Sequence, residues 1–246
     1  MKDLHELLEI TQQYQQQLPA MEAPSKMPIK GEIAAWIDHT VLKAEATENQ
    51  VRTLCEEAKS NHFAAVCINP AYVPLSAILL NGSEVDVCTV IGFPLGANPT
   101  EIKVAETEYC VKNGATEVDL VINIGAMRSG NYQLVYDEIK AVRKAAGSAL
   151  VKVIFENCYL GDKEKILACL MCKEAGVEFV KTSTGFGTSG ATLEDVRLMR
   201  SVVGPKMGVK AAGGIRTYAD ALKMIEAGAD RIGTSASVAI MAEANQ

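Results

Sequence analysis

The chain has 246 residues, 48% of them hydrophobic and 22% charged, with a formal charge of −6. That acidic balance, with no basic run of five or more, excludes a nucleic-acid groove, and no segment approaches the ~18 continuous apolar residues of a membrane span. A chain of this size buries roughly 70–75% of its unfolded surface, so its core needs no disulfide or metal staple.

Residues 3–18 place Leu4, Leu7, Leu8 and Leu18 around a Gln-rich surface, which predicts a modest amphipathic helix. The same opening stretch lacks the apolar run of a signal peptide, and seven cysteines are an odd number. Both point to a reduced, cytoplasmic protein. The segment PAMEAPSKMPIKGE (19–32) carries three prolines in ten positions and reads as a linker. Residues 1–32 are therefore expected to form an N-terminal helix and linker, and 33–246 a catalytic domain.

From residue 36 the chain alternates without a break. Short β-branched runs at 36–42, 63–69, 86–93, 117–123, 150–156, 179–184, 208–214 and 231–235 are separated by longer helical patterns. Several helices open on Thr or Asp as a cap and close near Gly. Strict alternation means parallel strands and right-handed crossovers. Eight such units predict an α/β protein of the (β/α)8 TIM-barrel class with an extra N-terminal helix. A weak internal echo agrees: VKNGATEVDLVIN, CKEAGVEFVKTST and MIEAGADRIGTSA precede or contain the fourth, sixth and eighth runs. Alternate barrel strands fill alternate core layers, so an echo at every second unit suits a barrel.

In a barrel strand, residues of one parity face the axis. Lys152, Ile154 and Glu156 share a parity, as do Asp119, Val121 and Asn123; Ala65, Cys67 and Asn69; and Lys181 with Ser183. Lys210 opposes Val209 and Ala211. Asp119, Lys152, Glu156, Lys181 and Lys210 are thus expected to aim at one axis. Burying unpaired charges costs several kcal/mol each, so their convergence predicts a site.

The chemistry such residues suit is carbonyl chemistry through an amine. A lysine at its free pKa of ~10.4 is almost wholly protonated. A second cation nearby, with desolvation, favours the free amine. That amine can condense with an aldehyde, and the iminium draws electrons from the adjacent carbon. Lys181 is the candidate nucleophile, Lys210 its cationic neighbour and Asp119 the carboxylate that moves protons.

The loops after the last strands, AAGGIRT (211–217) and RIGTSAS (231–237), place Gly213, Gly214, Gly233 and Ser235 where a barrel commonly binds phosphate. Gly185 belongs to a GxGxxG at 185–190. A dinucleotide loop would need an acid ~20 residues on, whereas the next run carries Lys210, so these glycines read as part of a phosphate cup. Of His5, His39 and His62 no pair has helical ligand spacing, and no metal is expected. The CxxC of Cys169 and Cys172 lies on one apolar helix face and reads as core packing.

The segments IDHTVLK, VCINPAYV, VIGFPLG, EVDLVINIG, VKVIFE, FVKTSTGFGTSGAT, VKAAGGIRT and RIGTSAS, in order between about residues 33 and 240, resemble the deoxyribose-phosphate aldolases, class I aldolases of (β/α)8 fold. The pairing of KTSTGF with VKAAGGIRT is highly specific. The resemblance implies reversible cleavage of 2-deoxy-D-ribose 5-phosphate into acetaldehyde and D-glyceraldehyde 3-phosphate, without metal or cofactor. It implies small-molecule aldehyde and phosphosugar partners, no nucleic acid or membrane, and is compatible with a homodimer. Lys181 corresponds to the Schiff-base lysine, Lys210 to its activating neighbour and Asp119 to the proton donor and acceptor. Thr40, Cys67 and Lys152 match positions near the reacting carbons. Two departures are Asn157, where the family pattern has Thr, and an ending, MAEANQ, without the tyrosine some members carry.

Rival readings keep the same barrel. A lysine aldolase for a 2-keto acid would want an arginine clamp, for which Arg216 is the only mouth candidate. A phosphosugar isomerase would use a Glu base and could dispense with two inward lysines. A non-catalytic sugar-phosphate-binding protein would have little reason to keep Lys181 and Lys210 together.

Overall fold

Each β-prone run forms a parallel strand, and the last closes on the first. The computed structural model describes residues 2–21, 27–28 and 32–246; the rest of the expected 19–32 linker lies outside them. The strands are β1 (Ile37–Val41), β2 (Ala65–Ile68), β3 (Asp86–Ile91), β4 (Glu117–Val121), β5 (Leu150–Ile154), β6 (Phe179–Lys181), β7 (Gly208–Ala212) and β8 (Arg231–Thr234). Around them run α1 (Leu4–Gln16), α2 (Glu48–Asn61), α3 (Val73–Leu79), α4 (Thr100–Lys112), α5 (Ile124–Arg128), α6 (Tyr132–Ala145), α7 (Asp162–Ala175), α8 (Leu193–Val203), α9 (Tyr218–Glu226) and α10 (Ser237–Ala244). This is the predicted (β/α)8 barrel, with α1 as the additional helix.

Local chemistry sets the helix boundaries. Thr47, Thr192 and Thr217 accept from the backbone N–H three residues on, starting α2, α8 and α9. Gly176, at φ +71°, ends α7 in the left-handed region that glycine reaches without strain. Asp3 and Glu6 form a capping box on α1, whose Leu7 is buried where the helix lies across α7 and α6.

The outward parity of each strand carries the core. Val118, Leu120, Val151, Val153, Val180, Val209 and Ile232 are fully buried between barrel and helices, each side chain contributing about 1.5–3 kcal/mol. Cys169 and Cys172 are buried in the same layer. Inside the barrel the lining divides. Ala65, Cys67, Cys88 and Val90, with Leu42, make a small apolar cluster on one side, and charged side chains fill the other.

A fully buried ion pair lies outside that interior. Lys103 of α4, fully enclosed, donates to the carbonyls of Gly96 and Val121, each at 2.8 Å, and pairs with Glu138 of α6 at 2.8 Å. Glu138 also accepts from the Asn123 backbone N–H at 3.0 Å. The pair fastens the loop after β3 to the end of β4. Gly92 is needed there, because a Cβ would meet Lys103 Cε at 2.7 Å.

Candidate active site

The strand register brings Asp119 opposite Lys152, and Lys181 opposite Lys210. All four side chains are buried at the axis. Asp119 Oδ2 accepts from Lys181 Nζ at 2.7 Å and Lys210 Nζ at 2.8 Å; Oδ1 accepts from Lys152 Nζ at 2.9 Å and Cys88 Sγ at 3.2 Å. One carboxylate thus holds three lysines. Burial alone would raise the Asp119 carboxyl, but Lys152, Lys181 and Lys210 outweigh it and hold the group well below the usual carboxylate range.

A second layer lies beneath. Lys210 also donates to Asp38 Oδ2, and Arg231 Nη1 donates to Asp38 Oδ1 at 2.6 Å. Lys152 donates to Glu117, whose other oxygen lies 3.4 Å from Arg231 Nη2. Burial would push the Lys210 ammonium down, yet Asp119 and Asp38 hold it above the ordinary lysine range. Burial opposes the Lys152 charge in the same way and is again outweighed, chiefly by Asp119. Four cations therefore meet three carboxylates, and Lys181, whose ion-pair partner is Asp119, is the lysine with the fewest carboxylates around it.

Cys67 and Cys88 sit beside this network, their sulfurs and an Asp119 oxygen mutually within 4.8 Å. The Cys88 hydrogen bond draws the Cys67 thiol below its usual pKa despite burial. These three groups, or Asp38, Cys88 and Glu117, could in principle hold a metal. Three lysine side chains already donate to Asp119, and the Lys152 and Lys210 cations would repel a dication.

At the mouth the loops meet backbone to backbone. Ala191 N–H donates to the carbonyls of Ala212 and Gly213, each at 3.1 Å. A Cβ on Gly190 would collide with the Gly213 carbonyl, so these two loops can approach only through glycine. Gly185, Gly213 and Gly214 all have positive φ, and Gly213 and Gly214 border a cavity of about 370 Å³ with Gly190. Ser183 is buried beside Gly213 with its hydroxyl unpartnered. Ser235 is exposed just past the end of β8 and borders a groove with His39 and Thr40. Thr40 Oγ1 donates to the Asp38 carbonyl at 2.8 Å, bracing the residue that holds Lys210. Gly233 differs from the loop glycines: it is inside β8, where a Cβ would lie 3.0 Å from Lys210 Cε.

A model of the DeoC/LacD family aldolases matches residues 33–242, the barrel that carries this network. The chain belongs to the DeoC/LacD aldolase family. A deoxyribose-phosphate aldolase of Carboxydothermus hydrogenoformans is 59% identical over 213 residues, covering 85% of this chain and 93% of the relative. One of Streptococcus gordonii is 59% identical over 206 residues, covering 84% and 94%. Among solved structures, the tetrameric deoxyribose phosphate aldolase of Aeropyrum pernix superposes with a TM-score of 0.82 at 35% identity, covering 98% of this chain and 97% of its own. The enzyme is thus an aldolase, a carbon–carbon lyase.

Against the sequence reading, the structure joins Asp119, Lys152, Lys181, Lys210 and Cys67, and it moves one residue elsewhere. Glu156, expected at the axis, lies beyond the end of β5 in left-handed backbone (φ +55°), and its carboxylate accepts from Thr184 instead of a lysine. Backbone bonds continue on either side of it, from Phe155 N–H to the Lys181 carbonyl and from Asn157 N–H to the Thr182 carbonyl, but the left-handed turn at Glu156 breaks the alternation. Sequence reasoning misses Asp38, Cys88, Glu117 and Arg231. All have the inward parity of their strands, so the same sorting extended to 36–42, 86–93 and 231–235 finds three of them, and Glu117 stands two residues before Asp119. Asn157, the departure from the family pattern, points away from the lysines: its amide nitrogen lies 3.3 Å from Met199 Sδ in α8.

Proposed function

We propose that this aldolase reversibly cleaves 2-deoxy-D-ribose 5-phosphate to acetaldehyde and D-glyceraldehyde 3-phosphate through a Schiff base on Lys181. The observation that carries the proposal is the three-lysine carboxylate: one buried Asp119 engaged by Lys152, Lys181 and Lys210. In the opening step the Lys181 amine adds to C1 of the open-chain sugar and water leaves, giving an iminium. As Lys181 turns from Asp119 to the carbonyl, Oδ2 loses a donor and can accept the proton of the C3 hydroxyl. The C2–C3 electron pair then moves toward the iminium nitrogen, glyceraldehyde 3-phosphate departs and an enamine remains. Protonation at C2 and hydrolysis release acetaldehyde. Lys210 and Lys152 stay charged throughout and stabilise the negative charge that develops on oxygen.

The phosphate end is assigned to Gly185, Gly213 and Gly214 with Ser235, whose backbone N–H groups suit a dianion. Gly233 is better accounted for as space for the Lys210 stem. Seven free cysteines, six of them buried, accord with a reducing cytoplasm; among the described residues no helix is long and apolar enough to cross a membrane.

The test is covalent trapping. Acetaldehyde with borohydride should leave an ethyl group on Lys181, in the peptide containing FVKTSTGF, with loss of activity in proportion. Ethylation spread over surface lysines with Lys181 unmodified would refute the Schiff-base assignment.

A further inference from the structure

His39 lies on β1 between Asp38 and Thr40 but has the opposite parity, so its ring faces the helix layer and takes no part in the lysine network. It is nonetheless tightly held. The ring is 4% exposed and tilts against Phe63 with centroids 5.2 Å apart. Nε2 lies 2.7 Å from Glu57 Oε2 on α2, and Nδ1 lies 2.9 Å from the hydroxyl of Ser237, the first residue of α10. Ser237 is fully buried, and its hydroxyl is also 3.2 Å from the Thr234 carbonyl. Thr234 in turn donates to the Ile215 carbonyl at 2.7 Å and accepts from the Ala236 backbone N–H at 3.0 Å. Polar contacts therefore run from Glu57 through His39 to Ser237 at the start of α10, beside Thr234, whose hydroxyl ties the loops after β7 and β8 together.

The protons fix how that chain works. The Glu57 carboxylate can only accept, so Nε2 carries a hydrogen and donates to it. In the neutral ring Nδ1 is then an acceptor, and the Ser237 hydroxyl must donate to it. In the imidazolium, Ser237 accepts from Nδ1–H and its own hydrogen turns to Thr234. Burial holds His39 below the usual imidazole range although Glu57 opposes it, which favours the neutral arrangement near pH 7. The Ser–His–Glu order resembles a hydrolase relay, but the Ser237 hydroxyl is closed off and no acyl group could reach it. Its geometry serves structure at a site, not nucleophilic attack.

We propose that His39 is a positioning residue for the phosphate end of the substrate. By holding Ser237 it sets the first turn of α10 and the 235–236 backbone against the 213–215 loop, so that N–H groups from both loops face one anion. The inference rests on the phosphate assignment made above. Without His39 the lysine network keeps all its hydrogen bonds, because none of them involves the ring.

The experiment compares deoxyribose 5-phosphate with unphosphorylated deoxyribose in the parent, His39→Phe, Ser237→Ala and the double variant. Phe keeps the packing on Phe63 and removes both ring hydrogen bonds. Each single variant should raise KM for the phosphorylated sugar about tenfold, equivalent to ~1.4 kcal/mol, with kcat within about twofold. The preference of kcat/KM for the phosphorylated sugar should fall by the same factor. The double variant should be no worse than the weaker single, since both cut one chain. Competition by inorganic phosphate should weaken in parallel. Equal losses on both sugars, losses confined to kcat, or additive effects in the double variant would overturn the inference. If His39→Phe fails to fold, Ser237→Ala decides the question alone. A parent that cleaves both sugars equally would overturn the phosphate assignment itself, an outcome distinct from a discriminating parent whose variants keep that discrimination.

Discussion

Lys181 and Lys210 stand at paired positions of neighbouring strands and donate to the same Asp119 oxygen, yet their surroundings differ. Lys210 is enclosed by two carboxylates and held as a cation, whereas Lys181 pairs with Asp119. The two should therefore fail differently. Lys181→Met is expected to abolish both cleavage and borohydride trapping. Lys210→Met removes a fixed charge and leaves Asp38 with Arg231, so turnover should fall by about a hundred- to a thousandfold, the scale of losing a key electrostatic group. A residual acetaldehyde adduct should still form on Lys181. Lys210→Arg keeps the charge in a different shape and should trap more than Lys210→Met. Peptide mass spectrometry after trapping checks all three, and an adduct on Lys210 in the parent would contradict the assignment. Strand parity makes both lysines legible in the amino-acid sequence. It fails at Glu156 because the backbone there turns left-handed and breaks the strand's alternation. It leaves Asp38 and Arg231 unnamed because a charge near the start of a run reads as solvent-facing until a partner 172 to 193 residues away is known.

At the scale of elements, the mouth is made of loops that the strands alone do not fix. The loop after β3 is held by Lys103, which donates to the Gly96 and Val121 carbonyls and pairs with the Glu138 carboxylate. Burial pushes the Lys103 ammonium down and the Glu138 carboxyl up, each opposed by the other partner, so the pair depends on both members. Lys103→Met should destabilise the fold by about 3–5 kcal/mol, because it leaves Glu138 enclosed without a counter-charge. The double change Lys103→Met with Glu138→Leu should recover much of that loss. Urea unfolding of the two variants against the parent measures both, and a Lys103→Met cost below about 1 kcal/mol would mean the pair is not a fastener. Helix ends are readable from Thr caps and closing glycines. The Lys103 tether is not, since a lysine within TEIKVAETEYCVKNG looks like any solvated helix charge.

For the whole molecule, the barrel interior behaves as one ionic object. The folded-state pKa values of Asp38 and Asp119 are depressed, so their contribution is present above the unfolded carboxylate pKa of ~3.9 and lost as pH falls through the folded values. Those of Lys152 and Lys210 are raised, so their contribution is present below ~10.4 and lost as pH rises through the folded values. Buried His39, whose pKa is lowered, takes stability away below the unfolded ~6.5, and the buried thiols whose pKa values are raised take it away above ~8.5. Thermal midpoints should accordingly stay level only between about pH 6.5 and 8 and fall on both sides. A steady slope across neutrality in melting curves would show that another group governs stability. The fold class is legible from alternation alone, since eight units admit few arrangements. The closing of β8 on β1 follows from that class, but the ion pairs that line the seam, Asp38 with Lys210 and Arg231, do not. That seam has a consequence for the growing chain. Asp38 is among the first barrel residues synthesised and Arg231 among the last, so the site's ground layer cannot assemble until nearly the whole polypeptide exists. A chain ending before β8 would carry Lys181 and Asp119 without Arg231 to hold Asp38 beneath them.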